Sequence, residues 1–474
     1  MTNQPPTDPQ AAGKAYHASP KEMRRILFSS FMGTAVEYYD FILYATAAGI
    51  VFNKVFFADL DPGLAIFVSF GTLAVGYIAR PLGGLIFGNL GDKFGRKTIL
   101  LTTVLMMGIA STLMGLLPVT EQIGIWAPVL LVSLRIFQGL AVGGEWGGAM
   151  LLAFESAKRQ SRGFAASFAY MGAPAGTILG TLILSLMSML PSDQFLAWGW
   201  RIPFVFSAVL MMVAVFIRMR VSESRVFHEM SAAAEKTKRK VPAAELFRNH
   251  RRPLLVAVVS GLSGQMTQGL MGAWAISFAV QQAILAQTDV LNMKAIGGVF
   301  TILFVVIASR LSDRIGRRRI LIFGNILAMV LAFPVMHLLD MGNTLAFLLA
   351  IILGLSLVQG FTSGPYGAFA GELFPTSVRY SGTSIGYQLA STLGAGFTPM
   401  IATALVMAGG GSLWMVSLLW MAFSAMSFTA LLVSKDRSGS DIQDLDQVIS
   451  GSPSGNDVAA SDGRKSPVAE SARA

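Results

Sequence analysis

Apolar stretches long enough to cross a bilayer recur along this chain, separated by short polar segments. A spanning helix needs about 20 predominantly apolar residues. Twelve stretches qualify: 26–51, 64–90, 98–118, 127–152, 163–190, 201–218, 254–283, 292–311, 319–339, 345–370, 380–405 and 413–434. Several are longer than a straight span requires, which allows tilt or kinking. Pro81, Pro174, Pro365 and Pro399 fall where bends are expected. The pattern predicts an all-α membrane protein of twelve transmembrane helices.

The polar segments alternate in charge. One set holds Lys21, Arg24 and Arg25, then Lys93, Arg96 and Lys97, then Lys158, Arg159 and Arg162. The same set continues with the basic 218–252 stretch, Arg314 and Arg317 to Arg319, Arg379, and Lys435 with Arg437. The other set holds little beyond Lys54, Lys294 and Arg201 at a helix border. Cytoplasmic loops carry excess Lys and Arg, so both termini are expected in the cytoplasm. The formal charge of +10 is thereby assigned to topology and not to nucleic acid. A charged fraction of 13% is far below the quarter typical of soluble domains.

Residues 1–25 read as a cytoplasmic N-terminal segment without signal-peptide character, so the first apolar run is expected to remain as a helix. The longest internal hydrophilic stretch, 219–253, divides a first half (26–218) from a second (254–434). Residues 435–474 are rich in Ser, Gly, Asp and Ala and read as a disordered cytoplasmic tail with no heptad pattern. With no cysteine, disulfides and thiolate chemistry are excluded. His17, His228, His250 and His337 make no metal-ligand spacing. No Walker A loop and no catalytic constellation is present, so neither an enzyme nor an ATP-driven pump is expected.

The two halves repeat one another. Gly91-Asp92-Lys93-Phe94-Gly95-Arg96-Lys97 follows the second span, and Ser312-Asp313-Arg314-Ile315-Gly316-Arg317-Arg318 follows the eighth. Glu155 with Arg162 follows the fourth, and Glu372 with Arg379 follows the tenth. Two pseudo-symmetric six-helix halves are typical of secondary transporters, whose substrate site lies near the midplane between them.

Further motifs sharpen this. They include Glu37-Tyr38-Tyr39-Asp40-Phe41, Ala79-Arg80-Pro81-Leu82-Gly83-Gly84 and Leu134-Arg135 with Gln138-Gly139. Gly143-Gly144-Glu145-Trp146-Gly147-Gly148, Trp198-Gly199-Trp200-Arg201-Ile202-Pro203-Phe204 and Glu372-Leu373-Phe374-Pro375-Thr376 follow. With the basic turn, they resemble the metabolite:proton symporter branch of the major facilitator superfamily over residues 20–435. The resemblance implies the major facilitator fold, alternating access in a bacterial cytoplasmic membrane, and proton-coupled import of a small organic acid. Shikimate, citrate and 2-oxoglutarate are among the substrates of such proteins, and proline or betaine of others. A zwitterionic osmolyte, export, uniport and a non-transporting metabolite receptor remain the alternatives. One departure is Tyr366, at a position where the branch often has Gln. No cofactor is expected beyond the proton as coupling ion, and no partner beyond substrate and lipid; the chain is expected to act as a monomer.

An ionisable residue inside a span is costly and marks function by default. At about 1.5 Å per residue, Glu37 lies roughly 16 Å and Asp40 roughly 21 Å from the cytoplasmic end of the first span. Arg135 lies at about 18 Å from the inner face of a ~30 Å core. Asp40, with Glu37, is the candidate proton carrier, and Arg135 is expected to alternate between that carboxylate and a carboxylate substrate. A permanent pair that merely holds helices together remains open. Arg80 and Glu145 form a candidate cytoplasmic gate, proton path or structural pair. Tyr38, Tyr44, Gln138, Tyr170, Gln265, Gln268, Trp274, Gln359, Tyr366, Tyr387 and Gln388 are the candidates for shaping the substrate site. Trp198, Trp200 and Trp414 lie at span edges, where interfacial anchoring is expected. By resemblance, Asp92 would meet the positive end of a helix dipole and Arg96 would bond a nearby acid. Asp313 and Arg317 would repeat this in the second half, with Glu155, Arg162, Glu372 and Arg379 beside them as gating residues.

Overall fold

A computed structural model describes residues 19–94, 96–143, 146–220, 242–282 and 285–437. Residues 1–18, the tail from 438, most of the 219–253 linker, Glu145, and the side chains of Asp92 and Arg96 lie outside the described residues.

Among the described residues, twelve long helical elements follow one another. They are α1 (Pro20–Val55), α2 (Pro62–Phe94), α3 (Arg96–Leu116), α4 (Trp126–Val142, continued by Trp146–Ser156), α5 (Arg162–Met187) and α6 (Ser192–Ile217). The second half holds α7 (Arg251–Gln281), α8 (Gln287–Ile315), α9 (Arg317–Asp340), α10 (Thr344–Leu373), α11 (Val378–Ala408) and α12 (Trp414–Val433). Ten are long and apolar enough to cross a membrane, and α3 and α4 contain shorter apolar helices. Part of the linker is itself helical, over Pro242–Asn249.

Local chemistry sets the ends. Ser19 caps α1 by accepting from the Glu22 amide at 3.3 Å, with Pro20 in the first turn where its missing N–H costs nothing. The second basic turn is reduced to one residue, Gly316, whose φ of 103° favours glycine over any side chain. That explains the glycine inside the basic turn. Pro81 and Pro174 lie inside α2 and α5 without ending them. Pro365 interrupts α10 between Ser363 and Tyr366, and Pro399 follows a widened π-helical turn in α11. Equivalent π-helical turns lie in α1 (Ala48–Phe52) and α7 (Leu270–Trp274), in matching places of the two halves.

Packing sorts the helices into inner and outer. The most apolar stretches of α1 and α7 are 94% and 78% buried, against 28% and 33% for α6 and α12. Lipid tails give no hydrophobic drive between helices, so close packing of small residues has to hold them. A Cβ on Gly139 or Gly143 of α4 would strike the α2 backbone at Gly76 or Arg80, and one on Gly176 of α5 would strike α1 at Ala35. Across the halves, α5 packs on α8 and α2 on α11, two pairings that the internal duplication exchanges.

Two expectations are corrected. Trp200 is not an interfacial anchor: it is fully buried, with its ring edge-on to Phe52, Phe56 and Phe204 and its indole N–H on the Leu196 carbonyl at 3.0 Å. Trp198 and Trp414 do remain exposed. Lys294 is not a loop residue. The helix begins at Gln287, earlier than its apolar run, and carries Lys294 into the bundle, where it is fully buried.

Candidate functional site

A central cavity lies between the halves. It is lined by Ile42 of α1, Tyr170, Pro174 and Thr177 of α5, Gln268 and Gly272 of α7, Lys294, Gly298 and Thr301 of α8, and Leu355 and Gln359 of α10. Three sequence candidates meet here. Gln359 Nε2 donates to the Tyr170 hydroxyl at 2.7 Å, across the halves, and also to Gln268 Oε1. Lys294 was missed by sequence reasoning. Its Nζ donates to Thr46 Oγ1 of α1 at 2.6 Å. The signal was present: Lys294, Gly298 and Thr301 share one helical face, as residues spaced by three and four do.

A second polar layer crosses the halves beside this cavity. The Tyr38 and Tyr387 hydroxyls bond to each other, and Gln265 approaches Tyr387. Arg80 Nη1 donates to Ser391 Oγ at 3.5 Å, while its guanidinium lies 3.6 Å from the Phe41 ring centroid and 4.2 Å from that of Tyr77. Gln388 donates to the Gly143 carbonyl at 3.3 Å. Tyr366 does not line the cavity; its hydroxyl donates to the Ala257 carbonyl at 2.8 Å, within the second half. Trp274 is buried and stacks on Phe278.

The midspan charges of the first half form a separate group. Asp40 accepts from Ser207 of α6, with Ser111 of α3 beside it, and is 2% exposed. Glu37 is equally buried. Arg135 donates to Gln138, which donates on to Ser111 at 2.7 Å. The Arg135 guanidinium rests 3.8 Å from the Phe41 centroid and 4.0 Å from that of Tyr44, whose hydroxyl donates to Thr72 at 2.7 Å. Desolvated cation–π contacts of this kind are worth about 2 kcal/mol. Among the described residues no carboxylate lies within 4 Å of Arg135, so the structure does not hold it in an ion pair with Asp40.

The halves also touch at both ends. At the basic face, Asp313 of α8 accepts from the Gly163 and Phe164 amides at 2.8 and 2.9 Å, at the start of α5, where the helix dipole favours an anion. Arg317 bridges Asp313 and Glu372, at 2.9 Å each. Arg379 pairs with Glu155 across the halves at 3.4 Å, and Arg162 is buried beside Phe154. Of the predicted gating residues, Asp313, Arg317 and Glu372 therefore form one cluster, and Glu155 with Arg379 forms a pair across the halves. The opposite face uses neutral groups that sequence reasoning did not single out. Ser277 and Gln281 of α7 each donate to the Gly49 carbonyl of α1 at 2.8 Å, and Ser185 of α5 donates to Asn292 of α8 at 2.8 Å.

The sequence family described as Major Facilitator Superfamily matches residues 28–399. The shikimate transporter of Escherichia coli is 39% identical over 414 residues, spanning 87% of this chain and 94% of that one. The proline/betaine transporter of Salmonella typhimurium is 33% identical, over 81% of this chain and 78% of its own. The crystal structure of a D-xylose-proton symporter superposes with a TM-score of 0.66 over 86% of this chain and 96% of its own, and at 19% identity the likeness concerns the fold.

Proposed function

Since the chain belongs to the Major Facilitator Superfamily and is a multi-pass membrane transporter, not an enzyme, we propose that it imports a small organic acid together with protons. Asp40 carries the reading. It is a fully buried carboxylate at midspan, on the helix that lends Ile42 to the central cavity. In low dielectric a lone charge is costly, so a buried carboxylate must be paired or take up a proton. Asp40 has a hydroxyl donor in Ser207 and, among the described residues, no ion-pair contact within 4 Å. Its position suits a group that gains and loses a proton in each cycle, with Glu37 one turn away. Arg135 supplies the opposite charge nearby when the carboxylate is ionised.

In this reading the basic face is cytoplasmic, the two halves rock about the cavity, and the contacts of Asp313 with the start of α5 and of Arg379 with Glu155 break when the cytoplasmic side opens. The proton is the coupling ion, no other cofactor takes part, and a single chain suffices. The name of the shikimate relative supports an organic acid. The osmolyte alternative places the cationic end of betaine beside a cavity that already holds Lys294.

The test is proton influx into proteoliposomes holding a pH-sensitive dye, with shikimate, benzoate, citrate, 2-oxoglutarate and betaine added in turn. Influx with an acid, and none with betaine, is the expected result. Labelled acid entering without protons would make the protein a uniporter. Proton influx with betaine alone would make it an osmolyte symporter.

A further inference from the structure

We infer that Lys294 is the anion-binding group of the central cavity, and that the transported acid carries one carboxylate together with neutral hydrogen-bonding groups. This rests on the organic-acid reading above and adds to it the residue that recognises the acid and the charge it selects.

Lys294 lies two turns inside α8, about 10 Å from the helix start at 1.5 Å per residue. It is fully buried and lines the cavity. An ammonium offers three donors and accepts nothing. Its hydrogen-bond partner is the neutral Thr46 hydroxyl, at 2.6 Å. No carboxylate among the described residues lies within 4 Å of it: Asp40 faces Ser207 inside the first half, and Asp313 and Glu372 are held by Arg317 at the basic face. A buried cation without a counter-charge is a large penalty unless something pairs it. The cavity it faces is where an anion can do so.

The rest of the lining is neutral. Tyr170, Gln359 and Gln268 form one hydrogen-bonded chain, and Thr177 and Thr301 add hydroxyls. Such groups suit hydroxyl or carbonyl substituents. A second or third carboxylate would meet no further cation among the described residues of the lining, because Arg80 and Arg135 are turned onto the Phe41 ring. The hydrogen bond from Lys294 also crosses the halves, from α8 to α1. Substrate binding and closure of the halves therefore act on the same ammonium.

A purely structural Lys294 would tether α8 to α1 through Thr46. Two variants of the full chain in nanodiscs separate the roles. Lys294→Gln keeps a donor for Thr46 and loses the charge. Thr46→Val keeps the charge and loses the tether. Binding of shikimate, benzoate, 2-oxoglutarate, citrate and betaine is measured by calorimetry. The expected result is tightest binding of a monocarboxylate, weakened on the order of 100-fold in Lys294→Gln, as loss of one partner from a buried charge pair gives. Thr46→Val should bind within a few-fold of the parent protein, and Lys294→Arg should bind between the two. Unchanged monocarboxylate binding in Lys294→Gln overturns the inference. So does a parent protein that prefers citrate, 2-oxoglutarate or betaine, or that binds neither monocarboxylate. Lys294-dependent binding without proton influx in vesicles leaves this inference standing and sinks the symport reading. Citrate-driven proton influx does the reverse.

Discussion

Arg135 and Lys294 are both buried cations near the middle of the bundle, and they are held in opposite ways. Arg135 sits wholly within the first half, on the rings of Phe41 and Tyr44 and bonded to Gln138 of its own helix. Lys294 reaches from the second half to Thr46 of the first. A contact inside one half persists while the halves rock; a contact between halves has to be made and broken in each cycle. In the proposed cycle, Arg135 belongs to the fixed part, with Asp40 and Ser207, and Lys294 to the part that senses closure. The guanidinium suits the fixed role because its flat, weakly hydrated face stacks on aromatic rings, whereas the ammonium is a compact point charge that is easily transferred from one oxygen to another.

The largest expected effect breaks the fixed group. Asp40→Asn can still accept from Ser207, so the chain should fold and insert, but proton-driven accumulation should be lost. Exchange of labelled for unlabelled substrate, which needs no net proton movement, should survive. Accumulation that still follows a pH gradient in this variant would show that Asp40 is not the proton carrier. Next comes Arg317→Ala, which leaves Asp313 and Glu372 buried without their shared cation. A loss of about 3–5 kcal/mol is expected, read as a lower melting temperature in detergent; an unchanged melting temperature would mean that the cluster is latch without being scaffold.

Smaller effects probe contacts between halves. Asp313→Asn keeps an acceptor at the start of α5 but removes the charge that the helix end favours, worth about 0.3–1 kcal/mol. The halves should then open more often at the basic face. The chain has no cysteine, so a single cysteine introduced at Thr301 reports this cleanly: its alkylation from that side should be several-fold faster in Asp313→Asn. Equal rates would remove Asp313 from the gate. Glu155→Gln should do least, because Glu155 is a third exposed and pairs with Arg379 at only 3.4 Å. About 0.2–1 kcal/mol is expected, vanishing in high salt. A large, salt-independent effect on the same alkylation rate would place this pair among the fixed contacts.

Much of the architecture was legible because a bilayer imposes it. Lengths of apolar runs gave spans, and alternating basic loops gave a sidedness for the proposal. The repeated Asp-x-x-x-Arg turn pointed to Asp313 and Arg317, which the structure brings together with Glu372 at the start of α5. The cavity was only half legible. Tyr170, Gln268 and Gln359 were among the polar midspan candidates and do line it. Tyr366 looked equivalent and instead bonds the Ala257 carbonyl, since a side chain of that length can turn away from the cavity and satisfy itself on a neighbouring backbone. Gln138 likewise serves Arg135 and Ser111.

Linear order dictated that this chain crosses a membrane many times, that its two halves are copies, and that a few charges must lie deep within it. Those follow from the cost of leaving polar groups in hydrocarbon, which depends on residue type and spacing alone. Which charges face one another followed only from packing. Trp200 looked peripheral and is core; Lys294 looked peripheral and is central. In both cases the residue sits near the end of an apolar run, where a few residues of helix extension move it by several ångströms. The rotation that then points it toward protein or lipid is set by neighbouring helices far away in the chain.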